Sequence, residues 1–405
     1  MKIADHPRKA RTLALCALCL FGISACGGGS SSTGSSSVSS GSGGGAGGTM
    51  PPGPGLVFVS DPNSGRLDAY GYSSSGTIST LANSQTLPSF QGSTQRAYPQ
   101  TDPASNLVFV TTQGSSTNEE WSYVYNPTTG LMSGGLSNPS VATQGTPAGM
   151  PIDPVDHFVL SVGSTGIDAF AYDPTTGALA STSTNSAFTT QNVVTVDIIN
   201  HWVFAVSGTT LSDYAINPTT EAISSTPTSS ITISALSGAT NIDSGQDMVH
   251  GILFLMIQGA TPSVVPVPYN VTTGAFGTPA PAATFGGNTI YSACSNSSNT
   301  DAANHLLFLN NATSGGFGIY GYNATTGAIG AATMPFTALT IPGRCTAIDS
   351  SNRLLFFVNN STSSVPYSLT SVVYPASGAS VTQVNSVSGS GLGTLQERAA
   401  TNRPD

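Results

Sequence analysis

Short, continuous apolar runs recur along this chain about every fifty residues, each bounded by turns rich in Gly, Pro, Asn and Asp. Leu56-Val57-Phe58-Val59 and Leu306-Leu307-Phe308-Leu309 are two of them. Runs this short and this apolar predict strands covered on both faces of a sheet. An aspartate stands seven residues before an apolar landmark in Asp102/Phe109, Asp153/Leu160, Asp197/Phe204, Asp247/Phe254, Asp301/Phe308 and Asp349/Phe356, and Phe58 heads a seventh copy without the aspartate. A second apolar strand follows each landmark, ending near Tyr72, Tyr125, Tyr172, Ile216, Tyr269, Tyr322 and Tyr374. The next residues form nearly one peptide, as in Asn126-Pro127-Thr128-Thr129-Gly130, Asp173-Pro174-Thr175-Thr176-Gly177 and Asn323-Ala324-Thr325-Thr326-Gly327. Asn or Asp caps such a turn, Pro presets φ, and Gly takes the left-handed position. The fourth copy departs, with Glu221 where the others have Gly.

A fixed period of this length in a strand pattern points to a propeller. Each repeat supplies an inner strand ending at the aspartate, a strand through the landmark, a strand ending at the tyrosine, and an outer strand after the turn. The expected fold is all-β, a seven-bladed propeller of four-stranded antiparallel blades over residues 55–405. The first repeat begins at its second strand. Its missing inner strand is expected at the other end of the chain, where Glu397-Arg398-Ala399-Ala400-Thr401-Asn402 resembles Gln95-Arg96-Ala97-Tyr98-Pro99-Gln100. The C-terminal strand then closes the ring and removes an open sheet edge.

The first 25 residues read as an export signal, with Lys2, Arg8, Lys9 and Arg11 ahead of a short apolar run that ends at Cys26. Ile23-Ser24-Ala25-Cys26-Gly27 resembles the bacterial lipobox, which implies diacylglyceryl attachment at Cys26 and a membrane contact through that lipid. Gly27, rather than aspartate, follows the cysteine, so the outer membrane is the expected destination, on its periplasmic or surface face. Residues 26–54 are almost wholly Gly, Ser, Thr and Pro, a composition that predicts a flexible tether. Four of the ten basic residues precede Cys26, together with Asp5, which leaves six arginines, no lysine and 18 acids. A domain this acidic is repelled by nucleic acid and by anionic lipid surfaces, so neither is an expected partner. A monomer without a cofactor is expected.

Six arginines are few, and three of them, Arg96, Arg344 and Arg398, fall near the start of an inner strand in blades two, seven and one. Those blades become neighbours once the ring closes. Guanidinium groups gathered at a channel mouth can hold a carboxylate or phosphate through charge-assisted hydrogen bonds. Glu397 is the local acid that can instead pair with them. Asp243 at the start of the fifth inner strand, and Glu119 and Glu120 in a long connection of blade two, are candidate acid/base groups that can also be read as solvated loop carboxylates. Cys294 and Cys345, near inner-strand starts of adjacent blades, can form a disulfide or remain a buried thiol pair. His157, His201, His250 and His305 recur near one turn position on four blades. That spacing predicts turn-packing rings too far apart to share an ion, and no metal site is expected.

The repeat as a whole, and Tyr172-Asp173-Pro174-Thr175-Thr176-Gly177-Ala178-Leu179 in particular, resembles the β-propeller lactonase family, which includes 6-phosphogluconolactonase-like proteins. YVTN-type surface propellers share the same repeat. The resemblance implies an inner-strand Gly-Pro-Arg-His sequence whose arginine and histidine face the site. Here the nearest match is Pro342-Gly343-Arg344-Cys345, so Arg344 matches the arginine and cysteine replaces the histidine. Lactone hydrolysis needs a base to direct water and a cation for the oxyanion. With the histidine missing, the expected function is a cell-envelope binding or scaffold module for an anionic small molecule or a cell-surface glycan or protein. A hydrolase acting on an extracellular sugar-type lactone is the alternative.

Overall fold

The computed structural model describes residues 55–401 except 62–64, 88–96, 114–117, 134–146, 150, 164–165, 186–191, 286–289, 293–298, 312–315, 338–343, 360–365 and 393–397. The described residues form seven antiparallel sheets in the expected order. Blade five shows the plan from inside to outside: Asn241–Asp247, Ile252–Gln258, Ser263–Pro268 and Ala283–Thr284. The inner strands of blades two, four and seven are Ala97–Asp102, Asn192–Asp197 and Arg344–Asp349. Those of blades three and six come in two pieces, Pro147–Gly149 with Ile152–Asp153 and Ile290–Ser292 with Thr300–Asp301. In blade one the inner strand is Arg398–Thr401, which pairs antiparallel with Val57–Ser60 of Gly55–Asp61. The two ends of the propeller therefore meet in a single sheet.

Every inner strand that ends at the repeated aspartate hands over to the second strand through a tight turn with one left-handed residue. These residues are Asn106, His157, His201, Gly251, His305 and Arg353, and Gly65 takes a left-handed φ between the second and third strands of blade one. The aspartate caps its turn: Asp102 Oδ1 accepts the backbone N–H groups of Ala104 and Ser105, and Asp247 Oδ1 accepts those of Val249 and His250. The Asn-Pro-Thr-Thr-Gly turns behave as read, Asn126 Oδ1 accepting from Thr128 and Thr129 while Gly130 has φ 68°. Blade four keeps the same turn with Glu221 held at φ 51°, a left-handed conformation that L side chains adopt only when the surrounding structure enforces it.

The core lies between blades, and the repeated residues are what fill it. Each repeat tyrosine packs on the landmark phenylalanine of the preceding blade, with ring centroids 4.7 Å apart for Tyr72/Phe356, 4.9 Å for Tyr172/Phe109, 4.8 Å for Tyr269/Phe204 and 5.1 Å for Tyr322/Phe254. In five of the seams its hydroxyl then reaches the capping aspartate of that same preceding blade. The donor–acceptor distances are 2.9 Å for Tyr72–Asp349, 2.8 Å for Tyr172–Asp102, 2.5 Å for Tyr269–Asp197, 2.6 Å for Tyr322–Asp247 and 3.0 Å for Tyr374–Asp301. One carboxylate thus caps its own turn with one oxygen and latches the next blade with the other.

At the seam between blades three and four the latch changes hands. Leu160 and Ile216 replace the aromatic pair inside one apolar cluster. Asp153 Oδ2 meets His201 Nε2 at 3.1 Å, and Asp156 Oδ2 lies 3.1 Å from the same nitrogen. The hydrogen bond to Asp153, with both carboxylates close by, raises the His201 imidazole above its ordinary range, against the opposing effect of burial.

Candidate functional site

The antiparallel plan puts the aspartate turns and the Asn-Pro-Thr-Thr-Gly turns on one face of the ring, and the starts of the inner strands at the opposite end. Strand register fixes which residues share a level there. Arg398 pairs with Ser60, Asp243 with Met256 and Arg344 with Val358, each two residues beyond its landmark phenylalanine. Tyr98, Gly149, Asn192 and Tyr291 hold the same register in blades two, three, four and six. Going round the ring from blade six to blade two, the level therefore reads Tyr291, Arg344, Arg398, Tyr98. The inner strands bearing the two arginines lie side by side. Asp243 holds this level on blade five, half-buried, its Oδ1 accepting the Ser244 backbone N–H at 2.9 Å.

This register corrects one alignment made from sequence. Arg398 does not correspond to Arg96: its counterpart in blade two is Tyr98, because strand pairing with Val57–Ser60 sets the register and the similar peptides are offset by two residues. Arg96, Glu397 and Cys294 fall outside the described residues, as does Cys26. Cys345 follows Arg344 on the inner strand of blade seven.

Glu119 and Glu120 require a second correction. They belong to the strand Asn118–Tyr125 rather than to a loop, because the hairpin of blade two runs on until Gln113 pairs with Asn118. Glu120 is fully buried, and Thr111 Oγ1 bonds both of its carboxyl oxygens at 2.8 Å. Burial pushes its carboxyl up to about 8, with Asp168 of blade three adding to the rise. At neutral pH Glu120 is a carboxylic acid lodged in the seam between blades two and three.

The folded protein therefore holds a proton on Glu120 that the unfolded chain releases above its ordinary pKa of about 4.3. Stability from this group is complete below that pH and is lost as pH rises towards 8, on the order of 3 kcal/mol by pH 7. Glu120→Gln, neutral and isosteric, is expected to gain on wild type by about that amount between pH 5 and pH 8 in urea unfolding. Equal differences at the two pH values would remove the buried acid from the account.

The histidines give the third correction. His157 packs edge-on against Tyr172 with centroids 5.4 Å apart, and His201 joins Asp153 and Asp156 as described. His250 and His305, however, are not far apart: their rings meet at 5.0 Å between centroids. The reason is local. His157, His201 and His305 occupy the left-handed turn position, but in blade five that position is Gly251, and His250 hangs from the residue before it. A Cβ at Gly251 would lie 2.3 Å from the Tyr269 carbonyl oxygen, so no side chain fits there.

No known family pattern matches the chain, and no curated protein does so. Solved structures do match. Two carry the description "putative 6-phosphogluconolactonase". The one from Bacteroides fragilis gives a TM-score of 0.62 at 12% identity over 86% of this chain and 97% of its own. The one from Bacteroides uniformis gives 0.61 at 13% identity over 85% and 99%. A protein from Lactobacillus plantarum matches with a TM-score of 0.59 at 13% identity over 85% and 98%. Identities this low speak for the backbone, and the backbone agrees with the seven blades traced above. The chain shares the seven-bladed propeller fold of the 6-phosphogluconolactonase-like proteins.

Proposed function

We propose that the chain is a lipid-anchored cell-envelope propeller that binds an anionic ligand at the inner-strand end of its channel. The observation that carries this reading is the placement of Arg344 and Arg398 at one level on adjacent inner strands, in a domain that is otherwise strongly acidic. Two neighbouring arginines amid net negative charge favour a compact anion such as a carboxylate or phosphate, which can bridge both guanidinium groups. Tyr98 and Tyr291 flank them at the same level and suit a polyhydroxylated ligand. Anchoring rests on the signal-like residues 1–25 and on Cys26.

The shared fold favours a second reading, lactone hydrolysis, in which the arginines hold the oxyanion. Asp243 is then the carboxylate at the right level to direct water, in place of the histidine that Cys345 displaces. An exported protein does not meet cytoplasmic phosphorylated lactones, so the substrate would be an extracellular one.

One experiment separates the readings. Calorimetry with gluconate and with inorganic phosphate, run beside hydrolysis of glucono-δ-lactone, is applied to the full chain and to the Arg344→Ala/Arg398→Ala variant. Binding weakened at least tenfold in the variant, without turnover, establishes the binding module. Turnover lost in the variant establishes the lactonase. Neither binding nor turnover in the wild type overturns both.

A further inference from the structure

We propose that Asp247, His250 and His305 form a binding site for a divalent transition metal, zinc being the best-matched ion, on the seam between blades five and six. One carboxylate oxygen and one nitrogen from each imidazole lie within 4.8 Å of one another. Three protein ligands of this kind, two imidazoles and a carboxylate, make an open tetrahedral zinc site whose fourth position belongs to water. The two nitrogen donors select against magnesium and calcium, which prefer oxygen alone.

Each ligand is already held close to its working position. Asp247 is buried, its Oδ1 fixed by two backbone N–H groups and its Oδ2 by the Tyr322 hydroxyl at 2.6 Å. His250 Nδ1 lies 2.7 Å from Asp247 Oδ2, and its side chain is 30% exposed, which leaves a path for an ion and a water. His305 packs edge-on against both His250 and Tyr322, at 5.0 and 5.8 Å between centroids. Its Nδ1 is buried and has no hydrogen-bond partner among the described residues. A desolvated imidazole nitrogen without a partner, beside a buried carboxylate and a second imidazole, is a ligand set arranged for a cation.

Tetrahedral ligands about 2.0 Å from zinc stand roughly 3.3 Å apart, so the His250–Asp247 pair, now at 2.7 Å, must open slightly, and the exposed His250 ring is the member free to turn. The ion then stands between His250 Nδ1 and Asp247 Oδ2, with the neutral imidazole in the tautomer that carries its proton on Nε2 and offers the Nδ1 lone pair. The other cluster of this kind, Asp153, Asp156 and His201, differs in having a single imidazole, whose Nε2 faces two carboxylates that raise its affinity for a proton. A cluster with one nitrogen donor in place of two is the poorer match to zinc. That cluster is the natural control.

The test is calorimetric titration of the full chain with zinc chloride, joined to the visible spectrum of the cobalt-loaded protein. Wild type is expected to bind one more equivalent of zinc than His250→Gln/His305→Gln, and His201→Gln to bind as wild type does. All variants keep the five cysteines, so thiol-bound zinc cancels in the difference. Cobalt should give the intense d–d bands of a four-coordinate ion in wild type and lose them in the double variant. Equal zinc stoichiometry in wild type and in a double variant of unchanged far-UV dichroism overturns the proposal. Should the double variant not fold, the single change at the exposed His250 carries the same comparison.

Discussion

Deleting residues 393–405 is expected to abolish the single cooperative thermal transition of the propeller, or to lower its midpoint by on the order of 10 °C. The deletion removes Arg398–Thr401 and unpairs Val57, Phe58, Val59 and Ser60, all fully buried in the closed ring. Four ladder positions carry backbone hydrogen bonds of about 1 kcal/mol net each, and losing them leaves buried donors and acceptors without partners. Phe58 also supports Tyr125 of blade two, 4.9 Å away between ring centroids, so the damage spreads to the next seam. Circular dichroism melting with size-exclusion chromatography reads the result, since an exposed inner edge invites chain-to-chain pairing. A truncated protein that stays monomeric with an unchanged midpoint would show that the C-terminal strand does not hold the ring.

The second large effect is expected at the latch between blades four and five. Asp197 Oδ2 accepts the Tyr269 hydroxyl at 2.5 Å and the Asn200 side-chain amide at 2.7 Å, while Oδ1 accepts the Asn200 backbone N–H at 3.0 Å. Tyr269→Phe keeps the ring on Phe204 and loses one hydrogen bond to a buried carboxyl, about 1–3 kcal/mol. Asp197→Ala orphans the buried hydroxyl and removes the turn cap together, roughly 3–5 kcal/mol. The double variant should cost little more than Asp197→Ala alone, because both changes act on one bond. Denaturant unfolding of the four proteins measures the coupling, and strictly additive losses would mean that hydroxyl and carboxyl act independently.

Much of this fold was legible because a propeller repeats its chemistry. Period, capping aspartate, landmark phenylalanine, tyrosine and Asn-Pro-Thr-Thr-Gly turn each mark a place within one blade, and the closing strand followed from counting. Which blade the tyrosine serves was not legible in the same way, because position within a repeat says nothing about the partner across a seam. A trace of it was present all the same. The repeat with Leu160 in place of phenylalanine is followed by the repeat with Ile216 in place of tyrosine, two changes that meet in one cluster.

The candidate site was harder to read, since small shifts of register decide it. Arg398 sits at the level of Tyr98 because hydrogen-bond pairing, rather than peptide similarity, sets its height. Glu120 looked like a loop residue because two adjacent glutamates interrupt the apolar pattern. The neighbouring blade buries it, and no local pattern reports a neighbour. His250 differs from the other turn histidines by one residue, and Gly251 is the only sign that its ring points elsewhere.

The closing strand also sets a clock. Blade one is begun by the first described residues and finished by nearly the last, so no intermediate length of chain contains a complete ring. At about 5–20 residues per second, the sheet started at Gly55 waits roughly 20–70 s for Arg398 to be made. The step that would lock the chain into a closed ring therefore cannot occur until its last strand is available.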